Sequence, residues 1–269
     1  MKGLAHEIAG GKEGISRVKT LFIGGGTPTL LPPPYLKKFL RLITESFCFT
    51  DMAEITVECN PEDLSPETIL LLRESPVTRV SLGIQSFNPF LRSRIGRQGS
   101  LEGLCAKMDE LRRNGFGNIS ADLIYAVAGE TMDDWQQDLE KTAALPFDHV
   151  SAYALSIDDY AQFQSKPDMP ETDDDLAAEM WRATQDLLRS RKGLARYEIS
   201  NYARPGHECR HNLAFWHGES YRGFGPAAVS SDGRERLINP PDLRLWSKGE
   251  GARREPVSRE SRARELFCL

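Results

Sequence analysis

The chain has 269 residues, 40% hydrophobic and 27% charged, with a formal net charge of −5. That is the composition of a water-soluble globular protein, long enough to bury one full core or a core with an appendage. It excludes a general nucleic-acid footprint, no apolar run approaches a transmembrane segment, and MKGLAHEIAGGKEG lacks a signal-peptide core, so a cytoplasmic protein is expected.

In chain order the sequence alternates apolar strands with amphipathic helices. VKTLFIGG is β-branched and ends in glycine, and PPYLKKFLRLITESF follows with Leu36, Phe39, Leu40 and Ile43 at helical spacing. EITVECNP reads as a strand stopped by Asn60-Pro61. SPETILLLRES then starts a helix, with Ser65 as its cap and Pro66 in the first turn. TRVSLGIQSF is the next strand, LEGLCAKMDELRRNG a helix ended by Gly115, NISADLIYAV a strand, TMDDWQQDLEKTAAL a helix and HVSAYALSI a strand. The repeat of about 30 residues is that of a strand–helix–strand unit.

Such alternation calls for a parallel sheet covered by helices. Glycines 24 to 26 follow the first strand, Glu58 and Asn60 end the second, Gln85 ends the third, and Asp122 and Tyr153-Ala154 lie in the fourth and fifth. Polar residues spread over the ends of successive strands favour a shared site at the mouth of a partial barrel over a single switch point in a doubly wound sheet.

The glycine run in LFIGGGTPTLL would let a ligand approach the main chain and its N–H donors; a tight turn before a proline-rich loop is the alternative. It is neither a P-loop nor a dinucleotide fingerprint. Glu58 could accept hydrogen bonds from ribose hydroxyls, or be an exposed strand residue. Gln85, flanked by apolar residues, needs hydrogen-bond partners. Asp122, in a strand otherwise rich in Ile and Leu, favours a ligand contact over a structural ion pair. In HECRHNLAFWH, residues His207, Cys209, His211 and His217 could ligate zinc or haem iron, or cap backbone groups in a surface loop. Phe215, Trp216 and Tyr221 read equally well as core aromatics. Arg253, Arg254, Arg259, Arg262 and Arg264 could form a basic patch, but interspersed glutamates favour a solvated face.

Together, GGGTPTLL, EITVECNPEDLSPETI, VSLGIQSFNPFLRSRIGR, ISADLIYAVAGET, HVSAYALSI and YEISNYARPGHECRHNLAFWHGESYRGFGPAAVS resemble, in order, the oxygen-independent coproporphyrinogen III oxidase family of radical S-adenosylmethionine (SAM) proteins, and within it the haem-chaperone branch, HemW. The resemblance implies an α/β fold, a partial (β/α)6 TIM-like barrel of the radical SAM type. Here its first strand is missing and part of a smaller C-terminal domain follows, with residues 1–165 forming the barrel core and 166–269 the remainder. It implies SAM and a [4Fe–4S] cluster as cofactors, an electron donor, and haem or a porphyrinogen as partner. By position, Gly25, Gly26, Thr27, Glu58, Gln85, Arg97, Asp122 and Ala154 match SAM-contact residues, and His211 of the HNxxFW segment matches a residue associated with haem handling.

The family's CxxxCxxC segment is absent. The five cysteines (Cys48, Cys59, Cys105, Cys209, Cys268) share no short metal-ligand spacing and suggest neither a disulfide framework nor a cluster site. The expectation is a chain that begins after the cluster loop and ends before the C-terminal domain is complete. Radical chemistry by this chain is then not expected, and its apolar end, lacking the part it would pack on, would favour aggregation. Two readings stand: the SAM-binding core of a HemW-like or oxidase-like iron–sulfur protein, or a cluster-less, catalytically inactive module that binds SAM or haem. VAGET (Val127–Thr131) replaces the family's LPGQT, and losing the proline is expected to loosen that turn. Phe215 in place of tyrosine removes a hydroxyl.

Overall fold

A computed structural model describes residues 1–11, 14–156 and 173–267. Cys268 and the boundary expected at 165/166 lie outside the described residues. The chain divides into two compact units, one of residues 23–33 and 55–208, the other of 1–22, 34–54 and 209–269.

All five expected strands are present: β1 (Val18–Ile23), β2 (Phe49–Cys59), β3 (Arg79–Gln85), β4 (Asn118–Tyr125) and β5 (His149–Ala154). Two short strands, β6 (Ala195–Arg196) and β7 (Asn201–Ala203), extend the sheet, whose order is β1-β2-β3-β4-β5-β7-β6. Pairs β2/β3, β3/β4 and β4/β5 are parallel, whereas β7 is antiparallel to β5 and to β6. The order is linear and no strand among the described residues closes it, so the barrel is partial.

Between the strands run α2 (Pro33–Ser46), α3 (Pro66–Arg73), the short α4 (Pro89–Arg94), α5 (Leu104–Arg113) and α6 (Met132–Ala144), preceded by α1 (Lys2–Gly11) and followed by α7 (Asp174–Lys192). Their starts follow local chemistry. Ser65 Oγ accepts the Thr68 N–H at 3.1 Å, and Thr131 and Asp134 cap each other reciprocally at the start of α6. Gly115, at φ +89°, ends α5 in the left-handed region, as expected of a C-terminal glycine.

Register sorts the residues of the larger unit onto two faces. One carries Ile55, Val57, Cys59, Val80, Leu82, Ile84, Ile119, Ala121, Leu123, Val150 and Ala152, all buried. It meets the helices: Tyr125 lies against Trp135 of α6, ring centroids 5.2 Å apart, and Trp135 Nε1 donates to the Met180 carbonyl and Thr184 Oγ1 of α7. The opposite face is polar. Thr56, Arg79 and Asn118 form one row, Glu58, Ser81, Ser120 and His149 the next, and Gly83, Asp122, Ser151 and Asn201 a third. A sheet whose apolar face is covered by helices can turn polar side chains towards a ligand on its other face.

The smaller unit holds α1, α2, α8 (Arg210–Trp216), α9 (Leu243–Lys248), α10 (Arg259–Phe267) and an antiparallel sheet of β8 (Val229–Ser231), β9 (Glu235–Ile238) and β10 (Arg253–Pro256) in the order β10-β9-β8. Glu7 of α1 accepts the Gly225 N–H at 2.8 Å and the Trp246 Nε1–H at 3.0 Å.

Leu82 sits wholly buried at the centre of the apolar face. Leu82→Ala is expected to cost about 2–5 kcal/mol, read as a lower urea midpoint at unchanged slope.

Candidate functional site at the polar strand ends

The glycine loop leaves β1 after buried Ile23 and turns at Gly25, where φ is +87°. A Cβ on Gly24 would stand 2.5 Å from the carboxyl carbon of Glu58, so only glycine lets this carboxylate lie against the loop. The Gly25 N–H donates to Glu58 Oε2 at 3.3 Å. A Cβ on Gly25 or Gly26 would meet nothing within 4 Å, so on that side the loop borders open space.

Asn60 ties the loop to the next element. Its Nδ2 donates to Thr27 Oγ1 at 3.2 Å and to Asp63 Oδ2 at 2.9 Å, while its Oδ1 accepts from Arg97 at 2.7 Å. Thr27 and Arg97, far apart in sequence, are thereby held through one buried amide. At the end of β3 the ladder with β4 slips between Gly83 and Gln85, and Gln85 adopts φ +66°. That conformation costs a non-glycine residue about 1–3 kcal/mol and is characteristic of ligand sites. Its Nε2 would lie 3.0 Å from a Cβ on Gly83, so the amide lies over that glycine. Asp122, in register with Gly83, accepts from Ser81 Oγ at 2.9 Å and Ser120 Oγ at 3.2 Å. Ala154, exposed, ends β5 opposite Tyr125.

Gly25 and Glu58 thus form one hydrogen-bonded pair and Thr27, Asn60 and Arg97 another group, with Gln85 and Asp122 on the same polar face. His211 belongs to the other unit. There Glu54 accepts the N–H groups of Arg210 and His211, each at 3.0 Å, and His211 Nδ1 lies 3.0 Å from Thr20 Oγ1. The His211 ring contacts Phe22 and Phe215, and Phe215 contacts Tyr221, centroids 5.5, 4.9 and 4.4 Å apart. Ser81 and Ser120 are missing from the sequence reading as site residues, since the serines carry no local signal, and Asn60 enters it only as a polar strand end.

Charge is unevenly balanced on this face. Burial, reinforced by the Asp122 charge, pushes Glu58 up to about 7 against the Gly25 N–H and Arg97. Burial also raises Asp122, although part of its surface stays accessible; Arg79 and the serine hydroxyls oppose the rise. After β4 the VAGET turn is closed by two hydrogen bonds. The Glu130 N–H donates to the Val127 carbonyl at 2.8 Å and the Val127 N–H returns to Glu130 Oε2 at 2.9 Å.

Among the described residues no group of three or more His, Cys, Asp or Glu could hold a metal ion. Cys59 and Cys209 are buried, Cys48 and Cys105 exposed, each in a different segment, and burial pushes the Cys59 thiol up. These thiols do not fit a three-thiolate cluster site.

Residues 5–142 match the model of the radical SAM superfamily, and the chain belongs to that superfamily. It is 38% identical over 217 residues to the haem chaperone HemW of Lactococcus lactis, covering 80% of this chain and 57% of the relative. With HemW of Mycobacterium tuberculosis it shares 37% over 236 residues, 87% of this chain and 60% of the relative. The chain therefore spans less than two thirds of these relatives. In fold it is similar to the coproporphyrinogen III oxidase HemN of Escherichia coli, with TM-score 0.80 and 23% identity over 98% of this chain and 66% of that one. The partial TIM-like barrel expected from the sequence is thus the observed fold. No helix among the described residues is long and apolar enough to cross a membrane.

Burial, followed by the repulsion of Asp138 and Asp134, holds Glu130 at about 7. An acid whose folded pKa exceeds its unfolded value binds its proton more tightly when folded, so stability falls as pH rises through that interval. Relative to Glu130→Gln, the native chain is expected to lose stability between pH 4.5 and about 7, seen as a growing gap in urea midpoint.

Proposed function

We propose that this chain is the SAM-binding core of a radical SAM protein of haem metabolism, of the haem-chaperone kind. The observation that carries it is the open space at Gly25 and Gly26 beside the Glu58 carboxylate, on a sheet face otherwise lined with polar groups. Loop N–H groups suit the carboxylate of SAM's amino-acid portion, and Thr27 and Arg97, held by Asn60, flank it. Glu58 suits the ribose hydroxyls, and Gln85, Asp122 and Ala154 complete the strand-end rim. The names of the curated relatives support haem as cargo.

Superfamily membership implies a [4Fe–4S] cluster that reduces SAM. The cysteines here do not fit one, and no radical step follows from these residues. For this sequence the reading is binding without turnover, and a cytoplasmic location goes with it. Calorimetric titration with SAM checks the site. Binding is expected to tighten as pH rises from 6 to 8, because ionised Glu58 accepts the hydroxyls better and attracts the cationic ligand. Glu58→Gln is expected to weaken binding about tenfold at pH 8 and to flatten the pH dependence. A wild-type chain that binds no SAM at any pH would sink the proposal.

His211 supports haem binding as a second role. Burial lowers its pKa against the pull of Glu54, so the ring is neutral at pH 7, the form that ligates iron. Hemin titration is expected to give a Soret shift that His211→Ala reduces; an identical spectrum from that variant assigns haem elsewhere.

A further inference from the structure

A hydrogen-bonded chain runs behind Asp122 on the polar face. His149 opens β5 and is fully buried. Its Nδ1 lies 2.8 Å from Ser120 Oγ and its Nε2 2.8 Å from the Tyr197 hydroxyl. Ser120 Oγ donates to Asp122 Oδ1 at 3.2 Å, and Ser81 Oγ donates to the same oxygen.

Donor counting orders every proton in this chain. An ionised carboxylate only accepts, and a serine hydroxyl carries a single proton. With that proton committed to Asp122, the Ser120 oxygen must accept from His149, so the imidazole carries its proton on Nδ1. Nε2 is then left to accept from Tyr197 O–H. A neutral ring is required throughout. Burial, with the charges of Arg79 and His207, keeps the His149 pKa well below its ordinary value. Tyr197 is only half-buried, so the chain links the protein's surface to the carboxylate.

We propose that His149 is a positioning residue for Asp122: the ordered chain Tyr197–His149–Ser120 presents Asp122 with a fixed hydroxyl donor and so holds its carboxylate oriented at the SAM site. This rests on the SAM reading for the identity of the ligand, but not for the order of the protons.

The test is the tautomer. In the full chain labelled with 15N-histidine, His149→Gln identifies the His149 signals by deleting them. The wild type is expected to show a neutral Nδ1–H ring that does not titrate down to pH 6. Asp122→Ala frees the Ser120 proton to point at Nδ1, so the ring is expected to switch to Nε2–H. Should that variant not fold, Ser120→Ala removes the acceptor of Nδ1–H and is expected to diminish that tautomer. His149→Gln is expected to weaken SAM binding about tenfold, with Ser120→Ala giving the same loss and the double variant no more. A wild-type Nε2–H ring, or no switch in Asp122→Ala, overturns the proposal. A chain that shows the switch but binds no SAM overturns the ligand instead.

Discussion

The structure depends on one constraint: in the larger unit, the sheet places its apolar residues under the helices and its charged and hydroxyl residues in registered rows on the other side. Buried polar groups are costly unless they find partners, and around Asp122 the neighbouring strands supply them through Ser81, Ser120 and His149. Ser81 and Ser120 exist, in energetic terms, to serve Asp122. Asn60 reconciles a threonine, an aspartate and an arginine through one amide. Because the rows are set by parallel pairing, a slip of a single residue would turn this face into the helices and expose the core. Folding the barrel and building the site are therefore the same event.

The glycine loop answers to the same face. Gly24 has no side chain because Glu58 occupies the place where one would be. The carboxylate is thereby brought under the loop and half out of water, where its proton is held more tightly. Gln85 shows a similar exchange. Its left-handed backbone and the slipped register beside it are unfavourable locally, and they lay its amide over Gly83 instead of continuing the ladder. Both features lie at the C-terminal ends of parallel strands, where an α/β barrel can spend stability on a site without weakening its core.

Much of this was legible in the sequence, for identifiable reasons. Runs such as ISADLIYAV and caps such as Ser65-Pro66 report local preferences, and local preferences suffice to mark strands and helix starts. Asp122 stood out because an acid within an apolar strand is costly to bury, and Glu58 because a strand-end carboxylate could meet ribose hydroxyls. What escaped depends on register. His149 reads as an unremarkable strand start until β4 places Ser120 beside it, and the linking role of Asn60 shows only when Thr27 and Arg97 converge on it. The antiparallel β7 is three residues long, too short to carry a periodicity, and only its pairing with β5 reveals it.

Electrostatics carries the functional reading a step further. Burial raises the proton affinity of both Glu58 and Asp122, the Asp122 charge raises that of Glu58 further, and Arg97 and Arg79 oppose these rises. Without ligand this face holds more acid than it can keep ionised near neutral pH, and the excess is met by protonating Glu58. A ligand carrying a sulfonium and an ammonium group relieves that excess directly. Its arrival favours loss of the Glu58 proton, and by linkage the same proton opposes its arrival. The charge imbalance supports the proposal of a cationic ligand at this face.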